Sequence, residues 1–526
     1  MPLRCALVAP FVFVVLACPA LEPPDAANEL DGGSPTASTG DAGEPADGGA
    51  SPDAGLPARD GGTPPEGPDG GTIEPSDDAG EPPAGGDAGA VDPLAECASD
   101  DDCAGARRCH QGSCRLPCLL GTCLHDPDDG VCAEGFCVEC AEDEDCPGAR
   151  YTCDLDEHRC QPQHVDTSGT RIGIFYSLWH CPFAADNPEG HAVHDISEVL
   201  AGHQPWGPLL MAHWWDEPAA GYYCLSRNDA LLAQHATLLR DAGVEFIFFD
   251  ATNHAYADWR SDRTRSMILD PLDRLLAVWS GIAGAPKVVP WVPVIAADTN
   301  ASANTIDAIV ARLDAHPDLA FEYLGKPLIL VTENESFISN EAKLAELAQR
   351  FTIRRMWAHE PDGSQRWSFL EGCEADPALT DEPCRQRIAP HDGELEQVSI
   401  TMAYQLTYMS VPEYAVPKHG GLTFRRQFQT LLDNPRVPIA TITGWNEWIA
   451  QRMPCGQNPT CPCNLYPEGC FMDQYDVEYS RDIEPGDNAR GDEYYRLLAS
   501  CIAVFRSGDV CDASNADELC CQASAP

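Results

Sequence analysis

Basic residues are scarce in this 526-residue chain: 33 Lys and Arg stand against 83 Asp and Glu, a formal net charge of -50. Such a chain repels phosphates, which excludes nucleic acid and an anionic lipid surface as charge-driven partners. Long apolar runs are equally scarce. The run at the N-terminus, Leu7–Ala17, is too short to span a bilayer as a mature helix, and no other segment is long and apolar enough. No Gly-x-Gly-x-x-Gly or Walker-type loop follows a strand-like run, which argues against nucleotide binding. Gly-x-Ser-x-Gly and His-Glu-x-x-His are missing, so serine-hydrolase and zincin chemistry lack support. Paired Cys-x-x-Cys knuckles with zinc spacing are missing too, and neither a metal nor a cofactor is expected.

What is present begins with an export signature. Met1–Arg4 supplies one positive charge, and the apolar run ends in Val15-Leu16-Ala17-Cys18. That segment resembles a bacterial lipobox. The resemblance implies a signal peptide over 1–17 and lipidation at Cys18, with several acyl chains giving stable anchoring where one would not. It also implies an exported lipoprotein at the outer membrane or cell surface, touching the membrane through its lipid alone. An ordinary cleaved signal with a chance cysteine is the alternative.

Residues 18–93 follow as a low-complexity stretch of Gly, Ala, Pro, Asp and Glu with almost no large apolar side chains. It cannot bury a core and should be a disordered linker. As a flexible coil it would span on the order of 50 Å, enough to hold the folded part away from a surface.

The chain holds 26 cysteines. With Cys5 and Cys18 set aside, twelve fall in Cys97–Cys160 and twelve in Cys181–Cys521. Two even sets fit an oxidising compartment and disulfides, with connectivity left open. Region 94–163 contains a repeat: Glu96-Cys97-Ala98-Ser99-Asp100-Asp101-Asp102-Cys103 is echoed by Glu139-Cys140-Ala141-Glu142-Asp143-Glu144-Asp145-Cys146. So little apolar residue is present there that bridges must hold it. The acidic tips are either Ca²⁺ ligands or solvated faces. A cysteine-containing tail occupies 509–526.

From 170 to 508 the composition turns globular. Strand-length apolar runs at 171–178, 244–250, 288–296, 327–331, 353–358, 398–402 and 439–443 alternate with helix-period segments at 228–242, 263–279, 304–315, 340–350, 423–433 and 492–505. That alternation predicts an α/β fold with a parallel sheet, and its length favours a (β/α)8 TIM-type barrel. Active sites of such barrels lie at the C-terminal strand ends. There the sequence places Trp179 and His180, Asp250 and Asn253, Asp298, Glu333 and Glu335, Trp357 with His359 and Glu360, and Gly444-Trp445-Asn446-Glu447-Trp448. Carboxylates set among Trp, Tyr, His and Asn suit sugars, whose C–H faces stack on rings and whose hydroxyls need polar partners. Cleaving a glycosidic bond needs two carboxyls.

A strand followed by Gly444-Trp-Asn-Glu-Trp448 resembles barrels of glycoside hydrolase families 71 and 99. Further shared segments are Ile172-Gly-Ile-Phe-Tyr176, Trp206-Gly-Pro208, Glu217-Pro218 with Gly221-Tyr-Tyr223, Phe248-Phe-Asp-Ala-Thr-Asn253, His419-Gly-Gly421, and Asp473-Gln474 with Glu478-Tyr-Ser-Arg-Asp-Ile-Glu-Pro485. The resemblance implies a glycoside hydrolase acting on a polysaccharide or glycan, with Glu447 as a catalytic carboxylate. In family 99 a second glutamate stands three residues later; here that position is Ala450. The second carboxyl must then come from elsewhere. Asp250, at the end of an apolar strand, is the first candidate, because a charge there is costly without a purpose. Glu217 is the next. Expected substrate contacts are Trp179, His180, His213, Trp215, Tyr222, Asn253, Trp357, Trp445, Asn446, Trp448, Gln451, Asp473 and Arg481. The rival reading is a glycan-binding or surface-assembly lipoprotein on a degenerate, non-catalytic barrel.

Overall fold

The apolar runs become strands because their neighbours bury them on both faces. They are β1 (Arg171–Tyr176), β2 (Phe246–Asp250), β3 (Lys287–Pro293), β4 (Lys326–Thr332), β5 (Thr352–Trp357), β6 (Trp367–Ser368), β7 (Glu394–Thr401) and β8 (Ile439–Thr443). β1, β3 and β4 each open on an exposed basic residue and are buried toward their C-terminal ends. The computed structural model describes residues 97–103, 107–110, 113–118, 131–133, 136–146, 149–155, 158–187, 192–252, 262–294, 299–332, 340–358, 360, 363–371, 386–405, 410, 415–488, 490–511, 515 and 517–522. The expected signal, Cys18 and the linker lie outside these, as do Asn253, Asp298, Glu333, Glu335 and His359.

The strands pair in parallel in the order β6-β5-β4-β3-β2-β1-β8-β7, and a short strand, Ile388–His391, returns antiparallel along β7. The sheet curls until its ends meet. Side chains bridge that seam. Gln397 on β7 accepts from the Ser368 N–H (3.1 Å) and donates to the Ser368 carbonyl (2.9 Å), so its amide stands in for a backbone pair. Beside it, Glu396 accepts from Trp367 Nε1 (2.7 Å) and from the Arg354 guanidinium through both oxygens (2.8 and 2.6 Å). The result is an α/β barrel closed by side chains at one seam.

Helices α1 (Asp229–Asp241), α2 (Asp270–Trp279), α3 (Thr299–Ala315) and α4 (Glu341–Arg350) follow β1 to β4, while α5 (Leu422–Asp433) follows β7 and α6 (Glu493–Ser507) follows β8. No helix joins β5 to β6 among the described residues, so the regular alternation expected from the sequence lapses there. α1 shows why these segments start and stop where they do. The Asn228 side chain accepts from the Leu231 N–H (3.0 Å), and Gly243 ends the helix at φ +86, a left-handed turn that suits glycine.

Alternation along each strand decides what faces the barrel axis. On β2, Ile247 and Phe249 pack outward under the helices, while Phe246 and Phe248 join an inner cluster with Phe175, Trp291 and Phe369. Asp250 is next in the inward series, at the mouth. Over that mouth lies a small antiparallel sheet of Ala212–Trp214, Ile449–Met453 and Cys470–Phe471. Ala450 pairs there with His213 and is buried. That placement explains why the position carries no carboxylate: an acid there would be sealed inside a ladder.

In the cysteine-rich region both repeats use one interleaved pattern. Cys97 bonds Cys109 and Cys103 bonds Cys114; Cys140 bonds Cys153 and Cys146 bonds Cys160. Cys118–Cys132 repeats the first-to-third link in the middle group. Asp102 accepts from the N–H groups of Ala98 and Ser99, and Asp145 from those of Ala141 and Glu142, so these acids close turns at equivalent positions. Among the described residues, the clusters with metal-ligand spacing consist of cysteines already in disulfides. Buried Arg150 ties the region to the barrel by donating to the carbonyls of Leu432 (2.8 Å), Phe505 (3.2 Å) and Asp509. The tail is pinned to α6 by Cys501–Cys520 and to itself by Cys511–Cys521, while Cys181–Cys224, Cys455–Cys463 and Cys461–Cys470 brace loops at the mouth. No helix among the described residues is long and apolar enough to cross a membrane.

Candidate active site

Beyond β8 the chain turns across the end of β1. Gly444 donates to the Arg481 carbonyl (3.0 Å) and Trp445 to that of Phe175 (2.8 Å). Each following side chain is then fixed. Trp445 is buried edge-on to His235. Asn446 clamps β1 by accepting from the Ser177 N–H (2.8 Å) and donating to the Ser177 carbonyl (3.1 Å). Trp448 stacks on Trp215, ring centroids 4.3 Å apart, and donates to Glu484 Oε2 (2.5 Å). Glu484 also accepts from the Tyr223 hydroxyl (2.7 Å) and binds His235 Nε2 (2.7 Å). Four of the five residues of the motif are thus fully buried or backbone-locked, and Glu447 alone aims a functional group at the mouth.

The Glu447 side chain is 15% exposed. Its N–H donates to Asp482 Oδ1 (2.5 Å). Its Oε2 accepts from Gln474 Nε2 (2.9 Å) and from an Arg481 terminal nitrogen (2.8 Å). Arg481 is 1% exposed, donates to Gln405 Oε1 (2.6 Å), and lies 5.5 Å above the Phe369 ring. The same guanidinium nitrogen stands 3.6 Å from Asp473 Oδ1. Asp473 sits at φ +67, in the left-handed region.

Asp250 completes the group. Its Oδ1 accepts from the Thr252 N–H (2.6 Å), and its carbonyl accepts from Trp179 Nε1 (3.0 Å). Burial pushes its carboxyl up to about 7; the charges of Glu447 and Asp473 add to this, and the Thr252 hydrogen bonds oppose it. Burial raises Asp473 as well, against the pull of Arg481 and with the push of Glu447. Asp482, behind Glu447, is raised by burial and by Glu447, while hydrogen bonds from the Glu447 N–H and from Trp215 Nε1 (2.8 Å) oppose it. Burial lowers Lys418, whose ammonium donates to Ser480 (2.8 Å) between the Trp215 and Tyr494 rings.

The structure brings Asp250, Glu447, Asp473 and Arg481 together, with Trp179 and Trp215 beside them. His180 and His213 are buried away from solvent. His180 donates through Nε2 to the Asn446 carbonyl (2.8 Å), and His213 accepts the Gly207 N–H (3.1 Å), stacked on His194. With Trp445, Asn446 and Trp448 they frame the site. Trp357 meets Trp291 edge-on, and exposed Gln451 donates to the Leu210 carbonyl on the small sheet. Glu217 belongs to a second acidic group: burial raises it first, then the charges of Asp487, Asp195 and Asp216, and Tyr222 donates to Asp195 (2.9 Å). No hydrogen bond joins Glu217 to Glu447 or Asp250 among the described residues.

Sequence reasoning placed Gln405 after the 398–402 strand and quoted Gln474 and Asp482 within motif segments without assigning them roles, and it missed Lys418 and the floor of Trp291 and Phe369 (centroids 4.9 Å apart). Trp291 Nε1 is buried without a hydrogen-bond partner. An apolar strand carrying one Trp, Lys287–Pro293, was the available signal for that residue; for the glutamines the signals were a strand end and the Asp473-Gln474 segment.

No protein-family model matches this chain, and no curated protein does. Among solved structures, two of the GH99 endo-α-mannosidase from Bacteroides thetaiotaomicron are similar. The one in complex with bis-tris propane has a TM-score of 0.36 and the other 0.38; each is 14% identical and covers 64% of this chain and 98% of its own.

Proposed function

We propose that the barrel is a glycoside hydrolase acting on a polysaccharide or other glycan, with its (β/α)8-type mouth as the active site. The observation that carries this reading is one group of acids at the barrel mouth: Glu447 and Asp473 share a single buried guanidinium, Arg481, and the Asp250 carboxyl feels the charge of both. Glycosidases need one carboxyl that holds a proton and one that does not. Glu447, addressed by Arg481 and Gln474, suits the base or nucleophile. The proton donor comes from the acids facing it. Strand-end position nominates Asp250, which near pH 7 is protonated in a large share of molecules. Half-buried Trp179 supplies a ring face for sugar C–H groups, while Trp215, stacked on Trp448 and capped by Lys418, backs the site from inside. Glu217, in its separate acidic group, is the outlying candidate. No cofactor enters this scheme. The lipid at Cys18 and the 18–93 linker would hold the enzyme at the outer membrane or cell surface, within reach of extracellular glycans.

A non-catalytic glycan-binding role is the second reading, favoured by Ala450. One experiment separates the two. The purified protein is screened against a glycan panel, scoring reducing ends released and binding shifts together. Release of reducing ends supports the hydrolase; binding shifts with no release on any glycan replace it with the binding role.

A further inference from the structure

Ala450 leaves the second carboxyl of the pair unassigned, and the geometry points to Asp473, rather than Asp250, as the carboxyl that works opposite Glu447. This rests on the hydrolase reading and narrows it.

The argument starts from Arg481. One of its terminal nitrogens lies 2.8 Å from Glu447 Oε2 and 3.6 Å from Asp473 Oδ1, so those two oxygens are at most 2.8 + 3.6 = 6.4 Å apart. Retaining glycosidases hold their carboxyls about 5–5.5 Å apart, and inverting ones roughly 6.5–9.5 Å apart to admit a water. The bound falls on the retaining side.

Both terminal nitrogens of Arg481 are engaged without Asp473. Its short contacts are to Gln405 (2.6 Å) and Glu447 (2.8 Å), while 3.6 Å is beyond a good hydrogen bond. The Asp473 side chain is 30% exposed, twice Glu447 at 15%, so it can reach a ligand. Asp250, by contrast, is 8% exposed and spends Oδ1 on its own Thr252 N–H, as a strand-end cap does.

The turn that carries Asp473 is built onto Glu447. Gln474, fully buried, donates to Glu447 (2.9 Å) and accepts from the Arg481 N–H (2.7 Å). A non-glycine residue at φ +67 is held there by those bonds, which aim its side chain beside the pair.

In the first step Glu447 Oε1 attacks the anomeric carbon, the glycosidic C–O bond breaks, and the Asp473 proton passes to the leaving oxygen. In the second, water attacks the glycosyl ester, its proton returns to Asp473, and Glu447 leaves as carboxylate. The net change is addition of one water, with the anomeric configuration retained.

The test uses the full chain and the glycan that the screen identifies, beside an aryl glycoside of the same sugar with an activated leaving group. Asp473→Asn keeps the shape, and asparagine tolerates the left-handed backbone. We expect at least about a hundredfold loss of kcat/KM on the glycan. The loss on the aryl glycoside should be much smaller, because that leaving group needs no proton. The basic limb of the pH profile should vanish, and NMR of the first-formed product should show retention. Equal losses on both substrates, an unchanged pH profile, or an inverted product would overturn the assignment. If Glu447→Gln abolishes turnover while Asp473→Asn does not, this assignment alone falls. If no glycan is hydrolysed, or Glu447→Gln is fully active, the hydrolase reading falls and takes this one with it.

Discussion

Replacing Asp250 with Asn should stabilise the barrel in alkali and change little in acid. The carboxyl titrates near 3.8 in an unfolded chain and is pushed up to about 7 in the folded one, chiefly by burial. Between those values the folded state binds the extra proton. The stability this group contributes is therefore fully present below the lower value and is lost as pH rises through the upper one. A separation of that size corresponds to about 4 kcal/mol at high pH. The amide removes that cost and can still accept the Thr252 N–H through Oδ1. A barrel of roughly 340 residues has an unfolding entropy of about 0.7 kcal/mol/K, so Tm should rise by about 6 °C. The assay is thermal unfolding of both proteins, disulfides intact, at about pH 4 and about pH 8.5. Near-equal Tm values in acid and a higher Tm for the variant in alkali are expected. A variant less stable than wild type at the higher pH, or a difference that does not change with pH, would refute the claim that burial raises the Asp250 carboxyl.

Other outcomes follow from the same structure. Glu484→Gln puts an NH₂ where Trp448, Tyr223 and His235 converge, so about 2–4 kcal/mol of stability should be lost in urea unfolding; an unchanged midpoint would show that the network is slack. Alkylation without reductant should label no cysteine in Cys97–Cys160, given the interleaved pairs there; several labelled thiols would contradict the pairing. Mass spectrometry of the mature N-terminus should find acylated Cys18, and an unmodified start downstream of it would remove the anchor.

Much of the barrel was legible because its signals are local. Ile439–Thr443 was read at its observed bounds, and the 228–242 and 340–350 helices shifted only by assigning Asn228, Ala242 and Asn340 to the caps. The helix expected over 263–279 is interrupted by a π-turn at Arg265–Leu269, which no periodicity announces. β6 was missed because two residues, one of them Ser368, give no period, and its edge away from β5 meets a glutamine side chain rather than a strand. Ala212–Trp214 is absent from the expected strands because a three-residue strand is too short to show alternation. At the site, Glu447 and Asp250 were visible from strand ends and motif. The bonds that Gln405, Gln474 and Lys418 make there were not, since these residues come from segments distant in sequence and meet only once the barrel closes. The tryptophans of the motif misled in the other direction. Aromatics that suit sugars also fill cores, and the sequence cannot tell which face Trp445 and Trp448 present.

The central claim is that Glu447 performs glycosidic chemistry at the mouth of this barrel. The direct measurement is turnover of the screened glycan by wild-type protein and Glu447→Gln side by side, with Tm recorded for both. The account predicts at least a roughly hundredfold fall in turnover with the fold intact. Undiminished turnover in the folded variant would contradict it.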